Sequence, residues 1–376
     1  MTICDHRSIR LLSVFLLLSA PSLFAQELPA KGSENSEEET FIAIATPVEA
    51  LIRGVPERLG SELAEADVEV RAGEEALRRE HAFGWLMEAL APLKTEPCRR
   101  VFARAGITVS FPDVDALAKT MDARRPMAAA PNAEAIIVPQ SLPVLDDSQQ
   151  AIFSSTGLLP FEISLTGEWA RASAAKRAGP PSADPLLRQA RAARLEGIAR
   201  LAGLVVSLRG AGIEPDVLGT GLLDAGREVA GWPGRALEAT RDPLVRSAFR
   251  VFLDDGMRWA VYHYLRSGMT GVVAEIERPG QGPAEILTPG RRTAARRLPA
   301  EGCRLGPRSA AVLLIDDDDP PWIAGLQADL FQPDAAGKVH AWLAFVSEKA
   351  AGRAAIALED RGYTLRLAGA LLEVKK

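Results

Sequence analysis

Apolar positions recur every three or four residues over two long stretches, and these organise the chain. Asp184 to Arg209 opens on an acid at the cap and a proline at the first helical position, and Gly210 ends it. Its second half, LEGIARLAGLVVSLRG, is almost wholly apolar, so this helix is buried on most sides. Asp242-Pro243 starts a second helix that runs to Gly268 with Leu244, Ala248, Val251, Phe252, Met257, Trp259, Ala260, Tyr264 and Leu265 at helical spacing. Gly268 supplies the left-handed residue that closes it. A shorter helix follows from Met269 to Ile276, Pro279 to Pro283 cannot continue it, and a last turn at Glu285-Ile286-Leu287 stops at Pro289. Neither long helix is stable alone in water, so the two are expected to pack together.

Shorter patterns fill in the rest. Pro56–Ala66, Glu74–Leu90, Pro112–Met121 and Lys338–Lys349 read as helices, the last with Val339, Trp342, Leu343 and Val346 apolar. Strands are expected at Val68–Val70, Ile107–Phe111, Ala135–Val138, Ala310–Ile315 and Ala354–Glu359, with Tyr363–Leu367 and Leu371–Val374 closing around an Asp360-Arg361-Gly362 turn. Pro126–Asn132 reads as a loop. Glu214–Thr240 is rich in glycine and reads as loops and a short helix. No strand precedes it and no Lys-Ser/Thr follows, so it is no phosphate loop. The expected fold class is α+β, predominantly α-helical, with a small mixed sheet and a C-terminal α/β segment.

The N-terminal residues carry an expectation of export. Residues 1–25 read as a secretory signal peptide: His6, Arg7 and Arg10, then the apolar Leu11–Ala20, then Pro21 and a cleavage site after Ala25. The apolar run is too short for a permanent anchor, and no later stretch reaches membrane-spanning length. Residues 26–40 are a polar, acidic linker expected to be disordered. Residues 41–300 then form the main domain, and 301–376 a strand, helix and hairpin segment packed on it. The product is expected to be exported, periplasmic or extracellular, with no integral membrane segment after cleavage. A formal net charge of −5, evenly mixed, makes no case for nucleic acid or an anionic membrane as partner. Cys98 and Cys303 are the cysteines left after cleavage. In an oxidising compartment they form one disulfide or remain as buried thiols, and the sequence leaves both open.

Catalytic chemistry is hard to place. His81 lies in Glu-His-Ala-Phe-Gly-Trp, which is not H-E-x-x-H, and His263 and His340 fall on unrelated elements. There is no G-x-S-x-G. Asp316 to Asp319 lacks the glycine and the closing acid of a calcium loop and reads as a solvated turn. Between Asp146 and Lys176 there is no histidine or cysteine. Ser148, Gln149, Gln150, Ser154 and Ser155 are poor zinc donors, and Glu162 and Glu168 fall on different helical faces. Gly157, Pro160 and Gly167 are expected to interrupt any single long helix there. Glu196, the acid within the apolar helix, is expected to pair most simply with Arg200 one turn on, or else with another basic group close by.

One family resemblance is visible. Gly256 to Ala260, Gly268, Val272-Val273, Pro279 and Glu285-Ile286-Leu287-Thr288-Pro289 resemble the tail of a family of bacterial zincin-like proteins grouped with gluzincin-type metallopeptidases. In that family a helix leads into a Gly-Gly-Trp turn, a short helix, a Pro-Pro loop and a Glu-Gln-Ile-Leu-His-Pro ending. Here Met269 and Thr270 replace Gly and Trp, Ala284-Glu285 replaces Glu-Gln, and Thr288 replaces His. Leu195-Glu196-Gly197-Ile198-Ala199 likewise resembles the family's Glu-Gly-Glu-Ala step, whose first glutamate is the third zinc ligand. The resemblance implies a zincin-like fold whose metal-binding helix follows the Ala135–Val138 strand. With no imidazole in that helix, no catalytic residue, metal ligand or cofactor is assigned, and Glu196 marks a relic third-ligand position by resemblance alone. The expectation is an exported, catalytically silent zincin-like protein with a binding or structural role in the cell envelope and an envelope protein as partner. The alternatives are an active metallopeptidase with an atypical site, and a scaffold or adaptor unrelated to peptidases.

Overall fold

The structure, a computed structural model, describes residues 68–116, 128–129, 135–139, 145–228, 231–278, 282–290, 302–306, 308, 311–313, 333–334 and 336–376. The expected signal peptide, acidic linker, 56–66 helix and 316–319 turn lie outside these residues.

A first strand, β1 (Glu69–Ala72), leads into helix α1 (Glu75–Ala89), a 3-10 turn (Ala91–Lys94) and helix α2 (Glu96–Arg104). Strands β2 (Ala128–Ala129) and β3 (Ala135–Val138) complete a mixed sheet in which β3 is central, parallel to β1 and antiparallel to β2. All four β3 residues are buried, as the unbroken apolar run Ala-Ile-Ile-Val requires of a central strand. Helix α3 (Asp147–Thr156) opens on a capping box between Asp146 and Gln149 and stops at Gly157, whose φ is 68°. Helix α4 (Pro160–Arg177) follows, then α5 (Pro185–Gly210). A 3-10 turn (Pro215–Leu218) and helices α6 (Gly221–Glu228) and α7 (Gly231–Ala239) lead to α8 (Pro243–Arg250). A π turn (Val251–Asp255) joins α8 to α9 (Gly256–Ile276), and the short α10 (Pro283–Leu287) ends the helical part.

Helix α5 is the axis of the molecule. It packs on α4, α9, the π turn and α1, and every residue from Gln189 to Leu208 is buried. Its contact with α9 is backbone on backbone. A Cβ added at Gly197 would overlap the carbonyl of Gly256, and one at Gly256 would overlap that of Ala193. The side-by-side packing of the two long helices is thus as expected. Helix α9 is interrupted at Ser267 (φ −150°, ψ 19°) and Gly268 (φ 64°, ψ −162°), so Met269–Ile276 is the separate short helix read from the sequence.

A second sheet holds the C-terminal part: β4 (Gly302–Cys303), β5 (Ala311–Leu313), β6 (His340–Ala344), then helix α11 (Glu348–Glu359) and the hairpin β7 (Thr364–Ala368) and β8 (Leu371–Lys375). Its order is β4-β5-β6-β8-β7, with β5 and β6 parallel and the other pairs antiparallel. A Cys98–Cys303 disulfide ties β4 to α2. Arg308 grips Asp255 of the π turn with two hydrogen bonds of 2.8 Å. Trp342, Ala344 and Leu371 belong to the main core, while Leu343, Leu372 and Val374 form a second one with α11.

The fold is α+β and predominantly helical, with local corrections. Residues 338–349 are not a helix: His340–Ala344 is a strand, and α11 starts at Glu348 behind the Ser347 cap. Both faces of β6 are covered, so its residues are apolar without alternation and mimic a buried helix. Ala354–Glu359, read as a strand, is the second half of α11. Ile107–Phe111 alternates but pairs with no strand among the described residues. Ile107, Val109 and Phe111 lean on the core, and the Ser110 N–H donates to Asp242 Oδ2. Gly167 does not interrupt α4, and the 126–132 loop contains β2. The Glu214–Thr240 stretch holds a 3-10 turn and two helices. Helix α2 was not anticipated.

Candidate functional site

Helix α4 begins at Pro160, whose missing N–H costs nothing in the first turn, and the Glu162 carboxylate accepts the Leu159 N–H at 2.8 Å. From Leu165 its residues are buried through Ala175, and two of them are Glu168 and Arg171. Burial of ionised groups is tolerated only with partners. Arg171 Nη1 lies 3.1 Å from Glu168 Oε1 on its own helix, and Nη2 donates to Glu196 Oε2 on α5. The side chains of Arg171 and Glu196 are each 2% exposed. The guanidinium carbon sits 5.3 Å from the ring of Trp85, which α1 buries completely. One cation is therefore shared between two carboxylates and an aromatic ring, sealed from water by three helices. A planar guanidinium suits this role, since its fork of donors reaches both acids at once.

Glu196 is thus ion-paired, but its partner is Arg171 and not Arg200. Arg200 turns the other way, donating through Nη1 to the Leu253 carbonyl at 2.7 Å and through Nη2 to the Gly226 carbonyl. The Gly226 carbonyl lies in the last turn of α6, where backbone acceptors lack helical partners, while the Leu253 carbonyl of the π turn also accepts the Gly256 N–H. The i,i+4 pair does not form because these two backbone acceptors compete for the same side chain.

The sequence did carry a signal for this site. Gly167-Glu168-Trp169-Ala170-Arg171 has the spacing of H-E-x-x-H, with glycine and arginine at the histidine places. Positions 167 and 171 share a helical face, here turned towards α5. A Cβ at Gly167 would lie 2.7 Å from the Ala199 carbonyl oxygen, so no larger side chain fits there. A search for histidine alone passes over this pattern.

The other singled-out residues stay apart. His81, His263 and His340 lie on α1, α9 and β6, and among the described residues no group of three or more His, Cys, Asp or Glu is placed to hold a metal ion. The donor set at Glu196 does not fit zinc: it offers a second carboxylate and a cation, with no imidazole. Thr288, at the family's histidine place, is half-buried beside the Pro333 carbonyl, and Glu285 is buried on α10. Burial pushes the Arg194 guanidinium down to about 10, against the pull of Glu285 and Glu275, so it remains charged at neutral pH.

His263 is buried against Trp259, with ring centroids 4.9 Å apart, and its Nε2 has no hydrogen-bond partner. Burial lowers its pKa from the ordinary 6.5, outweighing Glu275, and Arg266, Arg278 and Arg194 add to the shift. His340 is lowered for the same leading reason, although Glu373 opposes it. Each histidine takes up its proton more readily in the unfolded chain. Their contribution to stability is complete above pH 6.5 and is lost as pH falls from there towards the depressed folded-state values. The melting temperature is expected to fall between pH 7.5 and pH 5.5, and less so in His263→Gln. A flat profile would contradict this.

No family model matches the chain, and no curated protein or solved structure matches it.

Proposed function

We propose that this chain is an exported, catalytically silent relative of the zincin-like metallopeptidases, with a binding or structural role in the cell envelope. The observation that carries the reading is the Arg171 guanidinium, ion-paired with Glu168 and Glu196 at the spacing of H-E-x-x-H. In a zincin the second histidine and the downstream glutamate hold the metal, and the first glutamate acts on its water. Here the carboxylates at those two glutamate places are engaged by a cation, and the place of the first histidine abuts backbone. The apolar 11–20 stretch behind His6, Arg7 and Arg10 supports export. Among the described residues no helix is long and apolar enough to cross a membrane.

Metal analysis of protein purified without an affinity tag tests the reading. The expected result is no stoichiometric zinc and no hydrolysis of a casein or peptide library. About one zinc per chain, lost together with proteolysis in Glu196→Gln, would overturn it and favour an active enzyme with an atypical site.

A further inference from the structure

The binding role proposed above needs a surface, and the second sheet leaves one of its edges open. Strand β7 pairs with β8 on one side and, among the described residues, with no strand on the other. The hydrogen-bond pattern fixes which groups face outward. Val339 and Lys376 exchange both backbone hydrogen bonds, at 2.8 and 2.9 Å, and the Phe345 N–H donates to Ala370 O at 2.9 Å. Leu372 and Val374 therefore bond to β6, while Leu371, Glu373 and Lys375 bond to Ala368, Arg366 and Thr364 of β7. The N–H and C=O groups of Leu365 and Leu367 are left pointing at the free edge.

The edge is exposed along its length. Four of the five β7 residues are exposed and Leu365 is half-buried. On the face that α11 covers, Leu367 is 43% exposed, and α11 itself exposes Ile356 at 64%. On the opposite face stands Arg366. Its cross-strand neighbour Glu373 would neutralise it, but that carboxylate is already engaged by His340 Nε2 at 2.8 Å and Lys375 Nζ at 2.7 Å. Among the described residues Arg366 is exposed and makes no ion pair, and it lies close to Lys375 and Lys376, so the strip is positive.

We propose that β7 is a docking edge for an extended segment of a partner protein, which adds to the sheet as an antiparallel strand. An acidic residue of that segment lies opposite Arg366, and the apolar residues flanking it lie over Leu365 and Leu367. Charge selects the occupant. A second copy of this chain, paired by the register that uses the whole strand, sets Arg366 directly against its own copy, and like charges in that position are destabilising. An acid there supplies the missing counter-charge.

Titration of the mature chain with a fluorescein-labelled Thr-Val-Glu-Val-Thr peptide tests this. The glutamate peptide is expected to bind about fivefold more tightly than its lysine counterpart. N-methylation of both valine amides, which removes the donors facing β7, is expected to abolish binding. Arg366→Glu, a change at an exposed position, should reverse the order of the two peptides while leaving the circular dichroism spectrum unchanged. The proposal is overturned by any of four outcomes: no binding by either peptide, equal binding of the two, indifference to N-methylation, or sedimentation as a dimer that the glutamate peptide does not dissociate. None of these bears on the zinc content of the protein, so the silent-site reading is judged separately.

Discussion

An Arg171→Met variant is expected to lose about 3–5 kcal/mol of folding stability, the usual cost of removing one partner from a buried ion pair. Methionine keeps much of the volume, so packing over Trp85 changes little, but Glu168 and Glu196 lose the cation they share. Urea titration of parent and variant gives the difference. Arg171→Lys should fall between them, because a single ammonium reaches one carboxylate well but not both. The decisive comparison is the triple variant Glu168→Gln, Arg171→Met, Glu196→Gln. With the charges gone, most of the loss should return, since neutral replacement of a buried cluster is commonly tolerated. High salt should not mimic the single variant, because the cluster is beyond the reach of screening ions. A midpoint for Arg171→Met close to that of the parent would show that the charges are not balanced as the geometry implies.

The Cys98–Cys303 bond carries the second large effect. It closes a loop with a sequence separation of 205, for which chain entropy alone suggests about 5 kcal/mol. Reduction, or Cys98→Ser with Cys303→Ser, should therefore lower the melting temperature strongly. The C-terminal sheet would remain attached through Arg308 on Asp255 and through Trp342 and Leu371 in the main core. Limited proteolysis should then cut first within residues 301–376, where the remaining anchors are fewest. Intact mass after alkylation without reductant is the direct check: two modified thiols in exported protein would end the idea of a native bond.

Long-range partners mark the boundary of what the chain's pattern reveals. Asp184-Pro185 and Asp242-Pro243 announce their helices locally, and both aspartates cap as their chemistry requires, accepting the N–H groups of Leu186 and of Leu244 and Val245. The crossing of those helices was legible too, from apolar residues around nearly the whole circumference. The Lys338–Lys349 stretch was misread because being a strand depends on β5 and β8, neither of which is near in sequence. The need of Glu196 for a cation is legible in the sequence, but the choice between Arg200 and Arg171 depends on the Leu253 and Gly226 carbonyls, distant in sequence, that take up Arg200. The pattern from Gly167 to Arg171 was legible as spacing, and was missed because its chemistry had been replaced.

Read as history, the proposed loss of the metal site runs in one direction. Gly167 lets α4 approach α5 so closely that even a methyl group meets the Ala199 carbonyl at 2.7 Å. Helix α5 cannot retreat to make room, because Gly197 holds it against Gly256 on its other side. Placing a histidine at position 167 would have to follow, not precede, a shift of both neighbouring helices. Such a ratchet leaves the buried centre closed to further evolutionary experiment. Innovation in descendants of this chain should accumulate instead on the outward-facing strands and helix faces, where a substitution meets only water.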